Sequence, residues 1–267
     1  MPRSALYPAA DGDKVSGVHL PGEASIRVIL LDIEGTATPI DFVTTVLFPY
    51  ASSKIESFIR EQFREEHVRA PITELRAQQQ EDAKRGLQPP SWNEEGREAE
   101  IQATVAYCRW LMERDSKCTA LKSLQGMIWQ AGYASGELRG QAYPDVPRAF
   151  ERWRQQKREI AIYSSGSVLA QRLLFQTTHF GDLTGFIRDY FDTHTGAKTN
   201  PSSYKKIADS LGLDPDVVLF ISDAVQEVEA AQAAGMRSIL CDRSPQKDAE
   251  AADSGAIQSF DEIFPEQ

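Results

Sequence analysis

The stretch RVILLDIEGT, Arg27–Thr36, decides how the rest of the chain is read. Its first half is a short, unbroken apolar run rich in branched residues. Such a run, with no polar alternation, fits a strand buried on both faces, as in the interior of a parallel sheet. The run stops at Asp32. Glu34 follows two residues later, with Gly35 and Thr36 behind it. Two carboxylates and a glycine that permits a sharp chain exit therefore crowd the carboxyl end of a buried strand. An Asp placed there can attack phosphorus as a carboxylate nucleophile, and a neighbouring Glu can lend a proton to a leaving oxygen. The same residues also serve as ordinary turn formers after strands, so the motif is weighed with its surroundings.

Further strand ends repeat the pattern. Glu159–Tyr163 (EIAIY) leads into Ser164-Ser165-Gly166-Ser167, and Val217–Ile221 (VVLFI) leads into Ser222-Asp223. Arg237–Leu240 reads as another strand and Ala256–Gln258 as a last short one. Between them lie helical stretches at Asp145–Gln156, Val168–Thr178, Ser202–Leu211 and Ala224–Ala234, the last two stopped by Gly212 and Gly235. Strand and helix alternate, which predicts an α/β fold with a doubly wound parallel sheet and a ligand site beyond the carboxyl ends of its strands.

Residues 42–140 break the alternation. They hold helical stretches at Phe42–His67, Ile72–Arg85, Glu94–Arg114 and Thr119–Tyr133, with an interruption over Ala83–Asn93, and no convincing strand. So many helices need more sheet than the sequence supplies, which favours an inserted all-helical cap over helices that only cover one sheet face. The expected organisation is a loose N-terminal extension over 1–25, rich in Pro, Gly, Ala, Ser and Asp, an α/β core over 26–41 and 141–267, and a cap over 42–140.

Hydroxyls and free amides at Ser164–Ser167 suit a phosphate at a helix start, or a plain serine cap. Lys198, in TGAKTNP before a helix starting near Pro201, can offset charge on a transferred phosphoryl group, or be a solvated lysine. Asp223, with Glu227 four residues on, offers oxygens to a hard divalent cation, or caps the next helix. With right-handed crossovers, nucleophile, hydroxyl, cation and metal ligand share one sheet edge and converge on one phosphate.

The formal net charge of −10 leaves no chain-wide footprint for nucleic acid or an anionic membrane, and neither is an expected partner. A phosphorylated small molecule then needs a few locally placed groups. Three cysteines (Cys108, Cys118, Cys241), no CxxC and scattered histidines fit neither a disulfide framework nor a structural zinc site. The first 25 residues contain no apolar run, and no later segment approaches a membrane span, so the expected location is the cytosol.

In that order the four strand ends resemble the haloacid dehalogenase superfamily of phosphatases. The segments LLDIEGTATPIDFVTTVLFPYA (Leu30–Ala51), QGMIWQAGYASGELRGQAYPDVPRAF (Gln125–Phe150), IYSSGSVLAQRLLF (Ile162–Phe175) and FISDAVQEVEAAQAAGM (Phe220–Met236) are similar to the acireductone synthase family, the enolase-phosphatases of methionine salvage. The likeness spans Arg27–Phe264, and Glu34 in place of a second Asp is typical of that family. The resemblance implies a Rossmann-like core with a cap and one Mg2+ per subunit, held by Asp32, Glu34 through its backbone carbonyl, and Asp223. It also implies catalytic roles for Asp32, Glu34 and Lys198, and substrate binding by Ser164, Ser165 and Lys198. The implied reaction enolises and dephosphorylates 2,3-diketo-5-methylthiopentyl-1-phosphate to acireductone through an aspartyl-phosphate on Asp32. The alternative is a capped phosphatase of the same superfamily acting on another small phosphoester. The expected working unit is a monomer, and the expected location is the cytoplasm, with the nucleus added by the resemblance only for a eukaryotic source, since no clear basic cluster in the sequence points there. Trp129 and Tyr133 could pack on a methylthio tail, although aromatics at helical spacing more often fill a core. Ala37 and the loose lysine loop depart from the family pattern without removing a functional group.

Overall fold

The computed structural model describes residues 23–93, 95–114, 116, 118–244 and 255–265. The expected extension over 1–25 lies outside the described residues up to position 22; Glu23–Ser25 form a single 3-10 turn.

Five parallel strands form one sheet: β1 (Val28–Leu31), β2 (Glu159–Tyr163), β3 (Ile187–Phe191), β4 (Val218–Ser222) and β5 (Arg237–Leu240), in the order β3-β2-β1-β4-β5. β1 is central, and Leu31 pairs with Ile162 on one side and Ile221 on the other. The chain moves outward from β1 through β2 to β3, then crosses to β4 on the opposite side. The reversal of strand order at β1 opens a crevice at its carboxyl end, where Asp32 stands.

The helices are α1 (Ile40–Phe42), which runs through a π-helical turn over Val43–Leu47 into α2 (Phe48–Gln62), then α3 (Glu66–Lys84), α4 (Arg97–Met112), α5 (Thr119–Ser135), α6 (Asp145–Gln155), α7 (Val168–Gln176), α8 (Pro201–Leu211) and α9 (Val225–Ala233). Side chains alternate across a strand, so the apolar residues of β1, β2 and β4 feed two cores. Ile29, Leu31, Ile160, Ile162, Leu219 and Ile221 meet α6 and α7 through Phe150, Trp153, Leu174 and Phe175. On the opposite face, Val28, Leu30, Ala161, Tyr163, Val218 and Phe220 meet α8 and α9 through Tyr204, Ile207, Ala208, Ala230 and Ala231. Helices α2–α5 pack on one another around a third core that includes Ile55, Ile59, Ile72, Leu75, Val105, Leu121 and Leu124. Each such Leu or Ile contributes about 1.5–3 kcal/mol by burial.

Some expectations are corrected. β3 was not foreseen, because IRDYF buries only Ile187 and Tyr190 and carries charge at Arg188 and Asp189, as an edge strand can. Ala256–Gln258 is not a strand of the sheet; a lone bridge joins Ile257 to Cys241. The break expected between His67 and Ile72 falls at Phe63–Glu65, and Pro71 lies inside α3. There, in the second turn, it forfeits the backbone bond that a sixth helical residue would make to the carbonyl four residues earlier, a cost the packing of the buried Pro71 and its neighbours Val68, Ile72 and Leu75 offsets.

Candidate active site

The loop after β1 is folded onto a single carbonyl. The Thr36, Ala37 and Thr38 amides all donate to Ile33 O, at 3.2, 2.9 and 2.8 Å, and Gly35 N donates to Thr38 O at 2.8 Å. Gly35 takes a φ of +76°, and a Cβ there would stand 2.1 Å from Asp223 Oδ2. Glycine is thus required both by the backbone conformation and by the close approach of the acid that follows β4. Thr36 Oγ accepts Asp223 N–H at 2.9 Å, which ties the ends of β1 and β4 together.

Asp32 is 3% exposed. Its Oδ1 accepts Ile33 N–H at 2.8 Å and Lys198 Nζ at 2.5 Å, and its Oδ2 faces Ser222 Oγ at 3.3 Å. Lys198 is 9% exposed and also bonds Glu227 Oε2 at 2.6 Å. The reading of Lys198 as a solvated lysine is therefore set aside. Burial acts to lower its pKa, but the carboxylates of Asp32 and Glu227 outweigh burial and hold the ammonium above its usual range.

β3 explains how Lys198 reaches the site, because its loop leaves the carboxyl end of that strand. Tyr163 and Tyr204 donate their hydroxyls to Gly196 O and Lys198 O at 2.9 and 2.7 Å, and Ser203 Oγ donates to Ala197 O at 2.8 Å. Asn200 caps α8 with a side-chain bond from Ser202 N–H at 3.0 Å, and Pro201 takes the first helical position.

At the end of β2, Ser167 rather than Ser164 or Ser165 caps α7, accepting Ala170 N–H at 3.3 Å. Ser164 is buried with its Oγ accepting Gly166 N–H at 3.1 Å, while Ser165 is exposed. Gln171, absent from the sequence reading, braces this loop by donating to Gly166 O and Phe191 O at 2.8 and 2.9 Å. A buried polar residue on an otherwise apolar helix face was its only signal. Asp223 does not cap α9, whose N-cap is Ala224.

The acids outnumber the cation. Asp32, Glu34, Asp223 and Glu227 surround Lys198 electrostatically. Burial, then the Asp32 charge, pushes Glu34 up to about 7 and Asp223 up to about 6, and the same causes raise Glu227. Among the described residues no three His, Cys, Asp or Glu side chains form a ready-made metal cluster. Magnesium does not need one, since it is commonly held by one or two carboxylates, retained waters and substrate phosphate. Asp32 and Asp223, brought together through Gly35 and Thr36, fit that donor set, and their surplus negative charge favours a cation.

Trp129 and Tyr133 pack the junction of the helical layer with the sheet. Trp129 Nε1 donates to Leu47 O at 2.9 Å within the π-helical turn, and its ring stacks on Phe48 at 6.3 Å. Tyr133 lies in the core that also holds Ile33, Ala37 and Phe42. All three cysteines are free thiols. Among the described residues, no helix is long and apolar enough to cross a membrane.

Residues 26–235 match the haloacid dehalogenase-like hydrolase family. The chain is 46% identical over 244 residues to enolase-phosphatase E1 of Synechococcus elongatus, covering 91% of this chain and 100% of the relative. It is 43% identical over 222 residues to enolase-phosphatase E1 of Drosophila melanogaster, covering 83% of this chain and 85% of the relative. Among solved structures it resembles UTR4 protein of Saccharomyces cerevisiae, with a TM-score of 0.68 and 30% identity over 87% of this chain and 96% of that one. A haloacid dehalogenase phosphatase of Thermococcus onnurineus shares the fold, with a TM-score of 0.52 and 16% identity over 89% of this chain and 96% of that one.

Proposed function

The chain belongs to the enolase-phosphatase E1 family of haloacid dehalogenase-like hydrolases, and we infer that it is itself a phosphatase of methionine salvage. It converts 2,3-diketo-5-methylthiopentyl-1-phosphate to the acireductone 1,2-dihydroxy-3-keto-5-methylthiopentene and phosphate. The observation that carries the chemistry is the buried Asp32 carboxylate at the switch point of the sheet, bonded to Lys198 at 2.5 Å and tied to Asp223 through Thr36.

The proposed sequence begins with loss of a proton from the carbon that bears the phosphate; its electron pair forms the carbon–carbon double bond, and the adjacent carbonyl oxygen takes up a proton from water to become the enol hydroxyl. Glu34 is the candidate base: it stands beside Asp32, and a carboxyl with a pKa of about 7 exchanges protons readily at neutral pH. An Asp32 oxygen then bonds to phosphorus while the ester P–O bond breaks and the enol oxygen leaves, taking up the proton held by Glu34. Water next attacks phosphorus, breaks its bond to Asp32 and releases phosphate. Lys198 offsets charge on the phosphoryl oxygens, and the Ser164 and Ser165 hydroxyls hold the phosphate. A magnesium ion, one per chain, held by the Asp32 and Asp223 carboxylates and the Glu34 carbonyl, would lower the repulsion between anionic nucleophile and anionic substrate.

Residues 42–140 are proposed as the cap, closing over the substrate and excluding water; the separate core of α2–α5 supports that division. All the site residues come from one chain, so a monomer suffices, and we place it in the cytosol. The deciding assay follows phosphate release from the diketo phosphate and the ultraviolet absorbance of the enol, with magnesium and then with chelator. Release with an enol signal, both lost in Asp32→Asn, is expected. Release from generic phosphoesters with no enol signal would overturn the substrate while leaving the Asp32 chemistry.

A further inference from the structure

We propose that Arg243 is a positioning residue for the nucleophile loop: it clamps the Thr36 carbonyl and, through Thr36, sets the relation of Asp32 to Asp223. The proposal rests on the phosphatase reading, since it deepens the role of the same site.

Arg243 lies past the end of β5, 207 residues from Thr36, and does not touch the reacting groups. Its guanidinium donates twice to Thr36 O, from Nε at 3.0 Å and Nη2 at 2.9 Å. Nη1 donates to Asp145 Oδ2 at 2.8 Å and to Gln258 O at 3.0 Å. The Tyr143 and Phe260 rings lie against the guanidinium at 4.4 and 4.6 Å. The Arg243 and Asp145 side chains are 8% and 7% exposed. Asp145 is fixed in turn, because the same Oδ2 accepts Phe260 N–H at 2.6 Å and Ser259 Oγ at 3.1 Å.

Thr36 is where this clamp meets the site. It is fully buried, its amide closes the turn on Ile33 O, and its hydroxyl accepts Asp223 N–H. A displacement of Thr36 therefore moves the ends of β1 and β4 relative to each other. A bolt meant only for the C-terminal segment would be complete with Asp145 and Gln258 O; two of the arginine's donors are instead spent on the nucleophile loop. The planar fork matters, because a lysine ammonium cannot place two donors on one carbonyl while reaching Asp145 in the same plane.

The test uses the full chain, with wild type beside Arg243→Lys. Magnesium affinity is measured by calorimetry on the substrate-free protein with the metal alone, alongside kcat, KM and Tm. Removing a group that orients metal-site residues commonly costs about 10- to 100-fold in metal affinity or activity. Arg243→Lys is expected to show losses of that order in both magnesium affinity and kcat, with KM changed far less. A folded Arg243→Lys with lowered Tm but wild-type magnesium affinity and kcat would overturn the proposal. If Arg243→Lys does not fold, Asp145→Asn carries the test. It loosens the clamp without altering Arg243, and both values should move the same way; unchanged values in that folded variant refute the clamp. Wild type that binds magnesium yet releases no phosphate refutes the function instead, and the metal affinities still decide the clamp.

Discussion

Lys198 stands between Asp32 and Glu227, at 2.5 and 2.6 Å, and most of this arrangement can be traced to single letters of the sequence. Asp32, Ser164 and Asp223 are legible because each ends an apolar run, where a polar residue stands out; Lys198, set in TGAKTNP with no apolar run beside it, is legible only through its place in the order of the four segments. The partners that hold them are not. Glu227 stands out in the sequence only by its spacing from Asp223, which does not reveal its grip on Lys198, and the grip of Arg243 on Thr36 joins residues 207 positions apart with nothing local to mark it. Gly35 belongs to the legible group, and the geometry makes it testable. In Gly35→Ala the new methyl group meets Asp223 and the backbone keeps a positive φ. Stability should fall by at least about 1 kcal/mol, read as a lower urea midpoint. Because Asp223 must shift, kcat should fall by about 10²-fold, the order expected when a site group is misplaced by an ångström.

At the scale of elements, β1, β2 and β4 were foreseen because they are buried on both faces and leave a continuous apolar signature. The edge strand β3 leaves none, although it is the element that delivers the Lys198 loop to the site. In the helical layer, periodicity located the helices but not their boundary: the expected gap lay between His67 and Ile72, whereas the chain breaks at Phe63–Glu65 and runs helical through Pro71. The layer has its own core, and Leu124 in α5 is wholly buried there. Leu124→Ala should cost about 2–5 kcal/mol. Hydrogen exchange should localise the loss: amides of α2–α5 should exchange faster while those of β1 and β4 stay protected. Equal acceleration in the sheet would show that the layer does not open on its own.

For the molecule as a whole, the sequence reading reached the doubly wound sheet and the helical insertion after β1, since alternation of elements fixes topology more firmly than it fixes boundaries. The cysteine count excluded a disulfide framework, and burial now separates the thiols. Cys108 and Cys241 are buried and pushed up to about 12, chiefly by that burial, whereas Cys118 is partly exposed. An aromatic disulfide reagent at pH 8 should therefore modify Cys118 alone in the native protein and all three thiols after unfolding; rapid native labelling of Cys241 would contradict the closed core beneath the site. The central claim is that the phosphoryl group rests on Asp32 during each turnover. Its most direct test is to quench the enzyme in acid during turnover of substrate labelled in the phosphoryl group, treat it with hydroxylamine and map the modified peptide by mass. The account predicts protein-bound label that hydroxylamine releases, a hydroxamate at Asp32, and neither in Asp32→Asn. Rapid turnover with no labelled protein, or phosphate release that survives Asp32→Asn, would contradict it.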